Sequence, residues 1–311
     1  MSDAFKLTYS TMFNPPPELH ARFDAALAEF KHSGMGRDHP QWIDGAAAEG
    51  GERFEVRSPI DQDWLIGRFV QGSADDVDRA VQAARAAYPA WAATPWRERV
   101  ALLRRAARLI EERVYAISAA VALEVGKNRM EAIGEVQETA DLIDWYADRM
   151  EEADGFDHPL ADDPLPNFKS HNRSVLRPYG VWAVIAPFNF PFALAGGPLG
   201  PALIAGNTAV VKCSPETSLS GWLLLECLRD AGLPPGVINF VTGGDTTGRA
   251  LAQHPDVAGI TFTGSHAVGM QVLRASAAGR YPKPCITEMG GKNATIVSRH
   301  GDVERAALGI L

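Results

Sequence analysis

Val184 to Lys212 reads V-I-A-P-F-N-F-P-F-A-L-A-G-G-P-L-G-P-A-L-I-A-G-N-T-A-V-V-K, and the rest of the chain is organised around it. An apolar run leads in, and Pro187 and Pro191 fix the backbone on either side of Asn189. A small-residue helix follows, and a second apolar run delivers Lys212. Strand, turn, helix, strand is the grammar of a parallel sheet, whose ligands bind beyond the carboxyl ends of the strands. Asn189, a lone amide among aromatics and prolines, sits at the first of those ends and Lys212 at the second.

The same alternation runs on from Tyr179. Strands are expected at Val181–Ala186, Thr208–Lys212, Val237–Val241, Gly259–Thr263 and Ala294–Val297. Helices are expected at Phe192–Ala205, Leu219–Ala231, Thr246–Ala252 and Ser265–Ala278. Short, continuously apolar strands separated by helices indicate an α/β fold with a Rossmann-like parallel sheet covered on both faces.

Upstream, Pro17–Phe30 keeps helical spacing through Leu19, Phe23, Ala26, Leu27 and Phe30, within an N-terminal extension at 1–45. Ser73 reads as the N-cap of a helix whose apolar face is Val77, Ala80, Val81, Ala84 and Tyr88. Thr94-Pro95 reads as the N-cap and first-turn proline of a second helix running to a stop at Gly126. A third, from about Arg129 to Met150, carries acidic residues read as a solvated outer face without a chemical role. The prolines and aspartates of 153–178 break helical order before S-H-N-R-S-V-L-R-P offers a short strand, either a linker or an arm.

Composition narrows the function. The 311 residues suggest about two domains, and a hydrophobic fraction of 46% suffices to bury real cores. A net charge of -8 without blocks of like charge argues against nucleic acid or an anionic membrane surface as the main partner. Three cysteines, Cys213, Cys227 and Cys285, form no disulfide framework. With neither a leader pattern nor a long apolar run, a cytoplasmic location is expected. The histidines lack metal-ligand spacing, so no metal site is expected.

Phe262–Gly269, F-T-G-S-H-A-V-G, places a glycine and a hydroxyl at a helix start, where free N–H groups attract a pyrophosphate. It reads equally as an ordinary helix start, and no G-x-G-x-x-G follows any strand. Lys212 ends a buried strand, where ribose hydroxyls or a phosphate would partner its ammonium; a snorkelling strand-end lysine fits as well. Glu288, in T-E-M-G-G-K, is placed as a general base ahead of two glycines that allow close backbone approach. Cys285, flanked by Pro284 and Ile286, reads as a buried inert thiol. No G-x-S-x-G elbow supports a serine hydrolase.

Three motifs in order, A-P-F-N-F-P at Ala186–Pro191, F-T-G-S-x-x-V-G at Phe262–Gly269 and T-E-M-G-G-K at Thr287–Lys292, resemble the NAD(P)-dependent aldehyde dehydrogenase superfamily. The resemblance implies that Asn189 donates to an oxyanion, that Glu288 is the general base, and that Lys212 and Ser265 hold ribose and pyrophosphate. It further implies a cofactor wall built from Ile185, Ala186, Pro187, Phe188, Ser214, Gly243, Phe262, Thr263, Gly264, Gly269, Met289 and Gly290. The substrate would be a small aldehyde, oxidised to a carboxylate through a thioester. The cofactor would be NAD or NADP, because Pro215 stands where NAD-preferring members often carry a glutamate, and Glu216 comes one later. The extension, L-I-D-W-Y-A-D-R-M and the opening stretch look most like the 1-pyrroline-5-carboxylate (glutamate-γ-semialdehyde) dehydrogenase branch.

The family's nucleophilic cysteine lies a few dozen residues past the glutamate, and Leu311 is only 23 residues beyond Glu288. The expectation is therefore an N-terminal part of a longer protein, inactive alone and a homo-oligomer when complete. Its cofactor domain would comprise 46–157 and 179–288, with an oligomerisation arm at 158–178 and an incomplete catalytic domain from 289 to 311. The alternative is a non-catalytic nucleotide-binding or assembly module.

Overall fold

The computed structural model describes residues 15–310; residues 1–14 of the expected extension, and Leu311, lie outside them. Helix α1 (Pro17–Glu29) and a short π-helical turn lead to five small strands: β1 (Arg37–His39), β2 (Gln41–Ile43), β3 (Ala46–Ala48), β4 (Arg53–Arg57) and β5 (Leu65–Val70). Four helices follow, α2 (Ala74–Ala93), α3 (Trp96–Glu112), α4 (Val114–Val125) and α5 (Arg129–Glu152). Strands β6 (Asp157–Pro159) and β7 (Arg173–Val175) pair antiparallel as a hairpin. The alternating half then comprises β8 (Val181–Ile185), α6 (Ala193–Ile204), β9 (Thr208–Lys212), α7 (Ser218–Asp230), β10 (Ile238–Phe240), α8 (Asp245–Gln253), β11 (Val257–Gly264), α9 (His266–Ala277), β12 (Cys285–Met289) and α10 (Val303–Ile310).

The main sheet has the order β12-β11-β8-β9-β10-β2-β3. Its first five strands are mutually parallel, so their carboxyl ends share one edge, and antiparallel β2 and β3 extend it beyond β10. Strict alternation divides the side chains between two cores. Val181, Ala183, Val210, Ile260 and Phe262 join α2 residues such as Val77 and Val81 on one face. Trp182, Val184, Ala209, Val211, Ile238 and Phe240 join residues of α3 to α7 on the other. Burial on both faces is why these strands read as unbroken apolar runs.

Helix α6 lies against α5 through a face without side chains. A Cβ built at Gly196 would overlap Thr139 Cγ2, one at Gly197 would come 3.0 Å from Leu142 Cδ1, and one at Gly200 would come 3.1 Å from Ile143 Cγ1. Bare backbone at the contact allows this close helix approach.

Several boundaries differ from the sequence reading. The helix expected from Thr94 to Gly126 is two helices broken at Arg113, with φ -97° and ψ 9°, while Gly126 does end α4 in the left-handed conformation (φ 81°). Thr94 closes α2 through Oγ1 to the Ala90 carbonyl instead of capping α3, and Pro95 occupies the cap position. The Ser73 cap forms as expected, in a reciprocal capping box with Asp76. No strand forms at Ala294–Val297; the edge position is taken by Cys285–Met289, whose register sets Thr263 beside Glu288. The preceding prolines disguise that strand, and β11 supplies the pairing that local propensity does not.

Candidate functional site

The carboxyl ends of β8, β9, β11 and β12, with the N-termini of α8 and α9, enclose a cleft of about 780 Å³, within the range of small-molecule and cofactor sites. Its walls include Ile185, Ala186, Pro187, Phe188 and Asn189 from the first turn, and Lys212 and Ser214 from the second. Phe262, Thr263, Gly264 and Ser265 come from the third, and Glu288, Met289 and Gly290 from the edge strand. Of the expected residues, Gly243 and Gly269 do not line it. Gly243 is buried with φ 134°, a conformation that favours glycine, and it shapes the loop ahead of α8. Gly269 lies behind the wall, where an added Cβ would meet Met289 and Phe262. Sequence reasoning missed the wall from α8, including Gly248 and Arg249, and its continuation along α9 through Gln271. An expected helix start at Thr246 was the available signal.

Lys212 is buried, only 7% exposed; its carbonyl accepts from Ala186 N, and its ammonium makes no hydrogen bond or ion pair to a described residue. Burial lowers its pKa from the usual lysine value, partly offset by Cys213, Asp245 and Glu216. An ammonium facing the cleft, with Asp245 and Glu216 close enough to favour its charge but not paired with it, fits ribose hydroxyls or a phosphate. Ser265 caps α9, its Oγ accepting from Val268 N at 3.3 Å, and both residues line the cleft, so this helix start borders the same space. This donor set fits a dinucleotide.

Asn189 lies in the bend between β8 and α6, is exposed, and its amide makes no hydrogen bond to a described residue. Both amide protons are left for a ligand. Glu288 is exposed on β12 and borders this cleft as well as a second hollow of about 1140 Å³, which also reaches Phe262, Thr263 and Leu194.

Behind the cleft, two buried glutamates that the sequence reading gave no role hold the helix starts. Glu135, on α5, accepts through Oε1 from Phe192 N (2.8 Å) and Ala193 N (3.3 Å) at the start of α6, and through Oε2 from Lys127 Nζ (2.6 Å). The acidic residues of α5 are therefore not all a solvated face. Burial raises the Glu135 pKa against these donors. Glu124, at the end of α4, accepts from Leu219 N (2.7 Å), Ser220 N (2.9 Å) and Ser220 Oγ (2.5 Å) at the start of α7. Its complete burial outweighs those bonds and pushes its pKa up to about 7. Spacing alone cannot reveal such glutamates, because their partners are backbone groups from distant segments.

The thiols lie away from this chemistry. Cys213 and Cys227 are buried, and burial pushes them up to about 12 and about 11. Cys285 is half-buried, not buried as expected, because it lies on the edge strand. It sits opposite Ile260, four residues before the carboxyl end of β12, or about 13 Å at strand rise. No group of three or more His, Cys, Asp or Glu that could hold a metal occurs among the described residues, and none of their helices is long and apolar enough to cross a membrane.

Comparison with known proteins places this geometry. The 1-pyrroline-5-carboxylate dehydrogenase of Staphylococcus epidermidis is 36% identical over 296 residues, covering 93% of this chain and 56% of the relative. The enzyme named 1-pyrroline-5-carboxylate dehydrogenase 2 from Bacillus subtilis is 34% identical over 317 residues, covering all of this chain and 60% of its own. Among solved structures, Thermus 1-pyrroline-5-carboxylate dehydrogenase with bound NAD superposes with a TM-score of 0.85 at 30% identity, covering 94% of this chain and 57% of that one. Proline utilization A from Bdellovibrio bacteriovorus gives 0.87 at 32% identity, over 98% of this chain and 32% of that one. The chain thus spans a little over half the length of these dehydrogenases. The aldehyde dehydrogenase family profile matches residues 42–311. With the parallel sheet and the cleft at its carboxyl edge, these matches establish that the chain belongs to the aldehyde dehydrogenase family.

Proposed function

We propose that this chain is the cofactor-side portion of an NAD- or NADP-dependent enzyme that oxidises a small aldehyde, glutamate γ-semialdehyde in the first instance, to its carboxylate. The observation that carries the reading is one cleft holding an unpaired amide (Asn189), an unpaired buried ammonium (Lys212), a capped helix start (Ser265) and a carboxylate (Glu288). The semialdehyde is suggested by the names of the relatives from Staphylococcus epidermidis and Bacillus subtilis.

Lys212 and the N–H groups behind Ser265 would hold ribose and pyrophosphate, with Phe188 and Phe262 on the adjoining walls. A bound dinucleotide would supply the acceptor for the hydride, one proton with two electrons, that leaves the aldehyde carbon. When a thiolate adds to that carbon, the carbonyl oxygen becomes negative, and the Asn189 amide donates to it. Hydride loss leaves a thioester. Glu288 takes a proton from water as the water adds to the thioester, which releases the carboxylic acid and the thiolate. The positions of Cys213, Cys227 and Cys285 suit none of them for the attack, so the reading takes the thiolate from outside these 311 residues. On the same reading, residues 46–157 and 179–288 form the cofactor domain, 289–311 begin the catalytic domain, and 158–178, which hold most of the β6–β7 hairpin, are an oligomerisation arm.

The test pairs two measurements. The 311-residue chain should bind the dinucleotide, with affinity reduced by Lys212→Met, and should not turn over aldehyde. In a chain extended to carry the thiol, Asn189→Ala should lower kcat about 10²- to 10³-fold while leaving dinucleotide affinity unchanged. Equal losses in kcat and affinity would refute the assignment of Asn189.

A further inference from the structure

We infer that Lys127 and Glu135 are positioning residues for the Asn189 turn, an inference that rests on reading Asn189 as the oxyanion donor. In the segment F-N-F-P-F, Phe188 to Phe192, the only polar side chain is Asn189, which accepts no hydrogen bond from the helix that follows, and Phe192 at the cap of α6 makes no side-chain cap bond. The first N–H groups of a helix need an acceptor, and the positive end of its dipole favours an anion. Glu135 supplies both from α5, with its side chain wholly buried and its Oε1 on Phe192 N and Ala193 N.

Its other oxygen reaches the second half of the device. Lys127 Nζ, 2.6 Å from Glu135 Oε2, also stands 3.2 Å from the centroid of the Phe190 ring. The Phe190 carbonyl accepts from Leu194 N at 3.0 Å, while its side chain, in a residue 40% exposed, has the ammonium on its ring face. Asn189 is thereby followed by a ring held on a cation at 190 and by two backbone N–H groups held on a carboxylate at 192 and 193. One buried ion pair holds both points. Lys127 is itself fixed from each side: Gly126 ends α4, and Asn128 caps α5 by accepting from Met130 N and Glu131 N, both at 3.0 Å. Loss of either charge leaves the other buried without its partner.

A pair that merely caps α6 would leave the Asn189 amide indifferent to Lys127. The 311-residue chain with ¹⁵N-labelled asparagine distinguishes the two cases, the Asn189 side-chain signals being identified by their loss in Asn189→Ala. Lys127→Met, which keeps the stem and removes the charge, should move those signals and speed hydrogen exchange at Phe192 and Ala193 about 10-fold or more. Lys127→Arg should restore both. Asn207 and Asn239, bonded within the core, serve as controls. Glu135→Gln keeps an acceptor for α6 but turns amide protons toward Lys127, so it should move Asn189 while sparing exchange at Phe192 and Ala193. An Asn189 signal that stays in place in Lys127→Met overturns the inference. If Lys127→Met disturbs Asn207 and Asn239 as well, Glu135→Gln decides, and an unmoved Asn189 there has the same result. The readout needs no turnover: a displaced Asn189 here, with full kcat in Asn189→Ala of the extended chain, would sink the oxyanion reading and leave the positioning intact.

Discussion

Replacing His39 and Glu124 one at a time should tilt the pH dependence of stability in opposite directions. His39 is stacked 4.8 Å from Phe69 and edge-on to Trp222, and its Nε2 has no partner among the described residues. Burial, helped by Arg37, lowers its pKa from 6.5 to about 4. The unfolded chain therefore takes up this proton first, and the stability His39 contributes is complete above pH 6.5 and lost as pH falls through 4. Glu124 has the opposite sign. Raised from 4.5 to about 7, it contributes stability that is complete below pH 4.5 and lost as pH rises through 7. Each displacement amounts to about 3 kcal/mol over its window. Between pH 4.5 and 6.5 the two nearly cancel. Guanidinium unfolding followed by tryptophan fluorescence, read as variant minus wild type, should expose them separately. The difference for His39→Phe should fall by about 3 kcal/mol from pH 4 to 6.5, and that for Glu124→Gln should rise by about as much from 4.5 to 7. Flat differences for both variants would refute the argument that burial sets these two groups.

Two further outcomes follow from the packing. A thiol reagent applied to the native chain should modify Cys285 quickly and Cys213 and Cys227 only on unfolding, so that Cys285→Ser abolishes the fast phase; fast labelling of that variant would contradict the burial of the other two. Gly259→Ala would place a Cβ inside the Trp182 ring and force a shift in β8 or β11. It should cost about 1–3 kcal/mol in denaturant unfolding, and an unchanged midpoint would show that the contact yields freely.

The alternating half was legible because its signals are local. Strand β9 falls where its apolar run ends, and Asn189, Lys212, Ser265 and Glu288 share a cleft because parallel strands carry all their carboxyl ends to one edge. What escaped the sequence depends on distant pairing. Strand β12 was hidden by Pro282 and Pro284 and forms because β11 offers an edge, whereas Ala294–Val297 has apolar residues and no neighbour. Strands β1 to β3, three residues each, are too short to announce a sheet by periodicity. Glu124 and Glu135 look like any helix-surface glutamates until the backbone N–H groups of α7 and α6 arrive opposite them. Gly269 carried a motif position yet serves the wall from behind, since a motif records which residue is needed and not which surface it faces.

Because Gly196, Gly197 and Gly200 let α6 meet the side chains of α5 with bare backbone, sequence drift on the two helices is tied together. A methyl group gained at Gly196 has its room only where Thr139 Cγ2 now lies. The tolerated route is an exchange, such as Gly196→Ala with Thr139→Ser, which moves one carbon across the contact. The serine keeps the hydroxyl that bonds the Glu135 carbonyl at 3.0 Å. Either change alone leaves an overlap or a void, so these positions should travel as pairs, and a lineage that altered one helix first would have to pass through a less stable intermediate.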